Sequence, residues 1–414
     1  MLTPAAALRA QLVDIDKSMA ELESQMTSLR AQKERVLKDL ESIAYPVLTL
    51  PYEITVEIFL HFVTVMRQEI HRPQPYYGLL KLASICQTWR AVALYTCALW
   101  NDEVTVNCDD IRDAGQLLAA CLPRAGSLPL DLDIELPADD SSMGAMISTL
   151  SLYGSQWRRV RLFPSDRYAP SVIQLLINRL PSTFPLLERL ELFDFSLPHL
   201  LAVLPHAQNL RCLDLGLASS TKYAPVAPLS ILLPHLHTFV CRDDLTAMVL
   251  QYLTLPALES LRLVCLSDAD VHVILSCVAR SCSTILTLEL IYPTFSATYN
   301  CLRSFSAVRH LCLSWGLKWT KDEEEQFFAA MISVDFLPAL ESFTCNKCWP
   351  DSAEKLVAVV SARWRGVKAT TKLLSASLDF MDGDYDPSFY SGVLYKLDEL
   401  GREGLKLKIT GAKI

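Results

Sequence analysis

A short apolar pattern, Leu-x-x-Leu-x-Leu with substitutions, returns seven times between Leu187 and Cys345, and it narrows the folds open to this chain more than any other feature. The triplets are Leu187/Leu190/Leu192, Leu210/Leu213/Leu215, Leu236/Phe239/Cys241, Leu258/Leu261/Leu263, Ile285/Leu288/Leu290, Val308/Leu311/Leu313 and Leu340/Phe343/Cys345. Their first positions lie 23, 26, 22, 27, 23 and 32 residues apart. The hexapeptide Leu-Pro-Ala-Leu-Glu-Ser occurs twice, at 255–260 and 337–342. Each Leu-x-Leu reads as a short strand whose alternate residues point into a core. One such strand cannot bury its apolar face alone, so the repeats must stack on each other.

Helical stretches are expected between the strands, at 172–180, 245–253, 269–279, 323–331 and 352–364. The period falls mostly in the ~20–29 range of leucine-rich repeats, and one strand plus one helix per unit builds a solenoid with a continuous core. The Asn or Cys usual three residues after the last Leu is mostly missing, with Phe195, Ala218, Leu266 and Pro293 in its place. The expected fold class is therefore α/β, with an irregular leucine-rich-repeat-like solenoid over residues 102–414.

The first 44 residues read differently. Leu12, Met19, Met26, Lys33 and Leu40 alternate with Leu8, Ile15, Leu22, Leu29, Val36 and Ile43 as the a and d positions of five heptads. That is the pattern of a coiled-coil helix. Thr3-Pro4 supplies a helix start, and no Gly or Pro follows until Pro46. The apolar residues do not follow the parallel-dimer preference for β-branched a and Leu d, and Lys33 stands at an a position. Both self-association through residues 8–43 and packing along the chain's own body fit this seam.

Between these two parts, residues 45–101 predict two or three short helices. Leu50-Pro51-x-Glu53-Ile54-x-x-x-Ile58-Phe59 begins the first, with Pro and an acid where a helix start favours them. Leu82, Ile85, Cys86 and Trp89 share one face of the second, and Leu99-Trp100 closes the unit. So small a core normally needs a neighbour or partner to cover its remaining apolar face. The order Leu50-Pro51-x-Glu53-Ile54, Ile85-Cys86-x-x-Trp89-Arg90, Leu99-Trp100 resembles an F-box. In particular it resembles the F-box proteins abundant in mushroom-forming fungi, which often carry a heptad helix running into a Tyr-Pro-Val-Leu-Thr-Leu-Pro stretch, here 45–51. Gln87 departs from the pattern, and the loop between the helices is long.

The resemblance implies a substrate-receptor subunit of a Skp–cullin–F-box ubiquitin ligase. Leu50, Pro51, Ile54, Ile58, Phe59, Leu82, Ile85 and Trp89 are its expected contacts with a Skp-type adaptor and, through it, a cullin; the repeat region is expected to bind a protein substrate. The alternative is a scaffold outside any ligase, self-associating through the coiled coil.

Nothing in the sequence points to catalysis or a cofactor. It has no Gly-x-Gly-x-x-Gly, no Gly-Lys-Ser/Thr phosphate loop, no Gly-x-Ser-x-Gly and no His-Glu-x-x-His. It holds 13 Gly, against about 29 at a usage of ~7%. Cys345-x-x-Cys348 has zinc-ligand spacing but no second ligand pair nearby, and His235-x-His237 lies far upstream. The run 382–386 lacks the glycine and twelfth-position acid of a calcium loop. A net charge of −8 leaves no basic excess for nucleic acid. The longest uncharged run, 223–241, is broken by three prolines, and charges from Arg9 to Lys17 interrupt any early apolar core, so neither a membrane span nor a signal peptide is expected. Thirteen cysteines scattered through apolar runs fit reduced thiols in the cytoplasm or nucleus.

Overall fold

Every one of the seven repeats becomes a strand of a single parallel sheet in the computed structural model of the chain, which describes residues 4–42, 46–69, 76–101, 104–106, 114–136, 140–164, 183–195, 197–217, 230–242, 246–315, 319–366, 372–380 and 387–411. The strands start the same way. In Phe184-Pro185-Leu186-Leu187, Leu255-Pro256-Ala257-Leu258 and Leu337-Pro338-Ala339-Leu340 the fourth N–H donates to the first carbonyl, at 3.3, 3.1 and 3.2 Å. Proline suits the second position of such a turn because its φ is already set. The repeated hexapeptide is thus a turn followed by the first strand residue.

The strands are β1 (Val104–Val106), β2 (Leu130–Leu136), β3 (Trp157–Pro164), β4 (Arg189–Phe195), β5 (Cys212–Leu217), β6 (Ile231–Leu232), β7 (Thr238–Cys241), β8 (Leu253–Thr254), β9 (Ser260–Val264), β10 (Thr287–Ile291), β11 (His310–Ser314), β12 (Ser342–Cys348), β13 (Ser375–Phe380) and β14 (Lys406–Thr410). Twelve of them pair side by side in chain order; β6 and β8 form a separate parallel pair. The register carries the repeat across the sheet. Leu190, Leu213, Phe239, Leu261, Leu288, Leu311 and Phe343 align, as do Leu192, Leu215, Cys241, Leu263, Leu290, Leu313 and Cys345. All fourteen are buried. The ladder extends beyond the repeats recognised in the sequence: Val104/Val106, Leu132/Ile134 and Val160/Leu162 precede it, and Ala376/Leu378 and Leu407/Ile409 follow. In most of those strands the leading Leu is absent or replaced, as by Trp157; β13 keeps it as Leu373 but has Ala376 at the next position, and either change hides the motif.

Four expected helices can be compared. Those at 269–279, 323–331 and 352–364 appear as Asp268–Ser281, Lys321–Ile332 and Ala353–Arg365. The one expected over 245–253 is corrected: it stops at Leu250, and β8 follows as the partner of β6. Arg280 ends it by donating to the Leu250 and Leu253 carbonyls at 2.9 and 2.7 Å. The stretch 172–180 and the run 382–386 lie outside the described residues. The helix Phe295–Ser304 was not expected, because three of the four residues on its buried face are small: Ala297, Thr298 and Cys301 are buried beside Leu302. Thr294 caps it, accepting from the Ala297 N–H at 3.3 Å. The acidic run 322–325 begins a helix, where Thr320 and Glu323 cap each other's backbone N–H groups.

At the other end, α1 (Pro4–Ser42) is one unbroken helix of 39 residues, roughly 60 Å long at ~1.5 Å per residue. Next come α2 (Tyr52–Glu69), α3 (Tyr77–Ile85) and α4 (Gln87–Tyr95). This helical unit packs on the β1 end of the sheet. Trp100 is buried at the junction, its indole N–H donating to the Ala93 carbonyl at 2.7 Å and the Arg124 guanidinium lying 5.2 Å from its ring centroid. The Asn101 carbonyl accepts from the Asp131 N–H at 3.1 Å, continuing the ladder past β2. One apolar core then runs without a break from Phe59 to Leu405.

Candidate protein-interaction surfaces

Two surfaces stand out. The first lies on the helical unit, where sequence periodicity splits α2 into two stripes. Thr55, Phe59 and Val63, four apart, are buried. Phe59 meets Trp89 edge-on, with ring centroids 5.1 Å apart. The neighbouring stripe carries Leu50, Pro51, Ile54 and Ile58, and it is exposed: Ile54 is 48% and Ile58 44% accessible. The Pro51 carbonyl opens the helix by accepting from the Thr55 N–H at 3.1 Å. Between α3 and α4 the extended residue Cys86 breaks the helix, and its sulfur accepts from the Trp89 N–H at 3.4 Å. Arg90 reaches back to the Ala83 carbonyl at 2.9 Å and holds the two helices together. That leaves Ile85 at the corner, 61% exposed.

Of the eight residues expected to contact an adaptor, the structure puts Leu50, Pro51, Ile54, Ile58 and Ile85 outside and half-buries Trp89. It corrects two. Phe59 and Leu82 are in the core, 0% and 4% accessible, and they support the surface from beneath. Sequence reading missed Val47, Leu48, Leu80 and Tyr95, which are also exposed apolar residues of this unit. The signal was available in α3, Tyr-Gly-Leu-Leu-Lys-Leu-Ala-Ser-Ile, which holds more apolar side chains than one inward face can take.

The second surface is the outer face of the sheet, made by the strand residues that alternate with the buried ones. Across β2 to β5 it is densely charged. Arg158 grips Asp131 with two bonds, 2.9 and 2.6 Å, and Arg159 adds a third at 2.8 Å. Arg161 lies between Asp133 and Glu191, at 3.6 and 3.5 Å, and Arg242 holds Asp214 at 2.8 and 2.7 Å. Farther along, Arg262 pairs with Glu289 and Arg309 with Glu341. Asp131, Asp133, Arg159, Arg161, Arg189 and Glu191 line a depression of about 230 Å³. Its mixed charges suit a polar partner that exchanges one set of ion pairs for another. No residue of this surface was singled out in the sequence, because single Arg, Asp and Glu side chains acquire meaning only once the register aligns them.

Burial raises the Asp131 carboxyl, but hydrogen bonds from Arg158 and Arg159 outweigh it and hold the group below its ordinary value. Asp131 thus stabilises the fold above the ordinary carboxylate range, and that contribution is lost as pH falls through its lowered value. Asp131→Asn is therefore expected to lower the urea midpoint at pH 7, with the gap to the parent narrowing as pH falls below the ordinary carboxylate range. A gap that stays constant from pH 7 to pH 2 refutes the assignment.

The Cys345/Cys348 pair belongs to the core. A bulge in β12 between them, with Lys347 at φ 54°, turns both side chains inward despite their odd spacing. The Cys348 thiol donates to the Cys345 carbonyl at 3.2 Å, and burial pushes the Cys345 thiol well above its ordinary value, away from the thiolate a metal needs. Among the described residues no three His, Cys, Asp or Glu side chains converge as metal ligands, and no helix is long and apolar enough to cross a membrane. No described cysteine forms a disulfide. Neither a protein-family model nor a curated protein matches the chain.

Proposed function

We propose that the chain is a substrate-receptor subunit of a Skp–cullin–F-box ubiquitin ligase, working in the cytoplasm or nucleus. Residues 45–101 act as the F-box that docks a Skp-type adaptor and, through it, a cullin. Residues 102–414 act as a leucine-rich-repeat-like solenoid that binds the protein to be ubiquitinated. The observation that carries this reading is the set of exposed apolar residues Leu50, Pro51, Ile54, Ile58 and Ile85 on a helical unit whose own core is already filled by Phe59, Leu82 and Trp100. Apolar side chains held at helical spacing over a completed core are what a helix-packing partner recognises. The charged sheet face supplies a separate surface for substrate, so adaptor and substrate bind at once. The chain then contributes no catalytic group; it accelerates transfer by holding the acceptor near a thioester carried by another protein.

The test is co-expression with a Skp-type adaptor. A stoichiometric complex is expected, retained by a chain truncated to start at Ala44 and bringing down a cullin from lysate. A well-folded full-length chain that ignores the adaptor overturns the proposal.

A further inference from the structure

The seam of α1 has no role in that function. Its nine apolar residues from Leu8 to Leu40 are each more than half exposed. Helices in proteins draw most of their stability from packing of their apolar face, and a seam of this length left in water forgoes it, which favours a cover. We infer that the cover is α1 of a second copy of this chain, running antiparallel and centred on residue 24.

Charge chooses the direction. A parallel pair sets Lys33 against Lys33 of the other copy inside the seam. It also leaves the flanking residues without opposite charges, since Arg30 faces Gln25, Asp16 faces Gln11 and Glu23 faces Ser18. An antiparallel pair in full overlap sets each a residue against a d residue: Leu12 on Val36, Met19 on Leu29, Met26 on Leu22, Leu40 on Leu8. Lys33 then lies over Ile15, where its stem covers apolar surface and its ammonium reaches the adjacent Asp16. Asp16 of each copy meets Arg30 of the other, giving two opposite-charge pairs against one like pair, Glu23 with itself on the axis. Sliding the helices one heptad toward their N-termini puts Arg9 on Arg30 and Asp16 on Glu23. Sliding them the other way leaves Leu8 uncovered. The antiparallel arrangement also carries the two helical units to opposite ends of a rod roughly 60 Å long, so both stay open. A bivalent receptor gains avidity for substrates with two copies of a recognised segment.

The experiment is sedimentation equilibrium of the full-length chain. The expected species is a dimer of the 46.3 kDa chain. Arg30→Glu, which sets two like-charge pairs in place of two attractive ones, is expected to raise the dimer Kd about tenfold. Asp16→Arg in the same chain restores it. In the parallel arrangement these residues never meet and the second change rescues nothing. Cross-linking gives an independent answer, because no native cysteine precedes Cys86. Leu8→Cys and Leu40→Cys chains, mixed and oxidised, form a disulfide between positions 8 and 40, mapped by proteolysis. A monomer at every concentration, an 8-to-8 bridge, or assembly only with a different protein overturns the inference. None of these outcomes depends on adaptor binding.

Discussion

The double variant Ile54→Asp/Ile58→Asp is expected to lose adaptor binding by at least about a hundredfold while unfolding near the parent temperature. The two effects separate because of where the side chains sit. Both isoleucines are nearly half exposed on one stripe of α2, so in the free chain the aspartates face water, and surface changes of this kind move stability little. At an interface the same positions are buried, and two carboxylates meet apolar partner surface without hydrogen-bond partners. Phe59→Ala provides the contrast. Phe59 is fully buried against Trp89, so its truncation is expected to cost about 3–5 kcal/mol of stability. Isothermal titration with the adaptor, paired with thermal melts, distinguishes them. Unchanged affinity in a folded Ile54→Asp/Ile58→Asp chain removes this stripe from the interface.

The second large effect is expected at Arg363. This guanidinium is 3% exposed and donates to the carbonyls of Met331 at 2.6 Å, Ser333 at 2.7 Å and Leu337 at 3.1 Å, and also to that of Phe336. It closes the end of the helix Lys321–Ile332 and the loop that leads to the Leu337–Leu340 turn. Burial lowers its pKa, yet a ring of carbonyls at a helix terminus favours the charged form. Arg363→Leu removes the charged donor from all four carbonyls. Those of Ser333 and Leu337 keep the backbone N–H groups of Phe336 and Leu340, at 3.3 and 3.2 Å, whereas those of Met331 and Phe336 lose the guanidinium donor, each at a cost of about 1–3 kcal/mol when it cannot reach water. Partial relaxation reduces the sum, and a loss of about 3–5 kcal/mol is expected from urea unfolding, with Arg363→Lys between leucine and the parent. A loss under about 1 kcal/mol means that water reaches these carbonyls and that the arginine is dispensable. Arg280 serves the helix Thr246–Leu250 in the same way, from the equivalent end of Asp268–Ser281.

How far the sequence could be read depended on whether a feature was local. The strands β4, β5, β7, β9, β10, β11 and β12 were legible because each leading apolar residue and the apolar pair that follows it lie within six residues. The strands β1 to β3 keep the alternation but not the leading Leu, and so passed unnoticed. The helix Phe295–Ser304 carries a single leucine, Leu302, and passed unnoticed for the same kind of reason. On the helical unit, the eight residues expected to contact an adaptor came from the resemblance that their order suggested. Spacing puts Ile54 one turn from Ile58 and Thr55 one turn from Phe59, but it says nothing about which stripe faces inward.

That division holds for the whole chain. By itself the sequence determined the register of the repeats and the unbroken heptads of α1, because turn geometry and helical period act between neighbours a few residues apart. Only the tertiary structure decided which apolar residues are core and which are surface, as between Phe59 and Ile58. It alone joined Arg363 to the end of the preceding helix and aligned Asp131, Arg159 and Glu191 on one face. Burial and ion pairing are relations between segments tens of residues apart, and their free energy exists only once the sheet has brought those segments together.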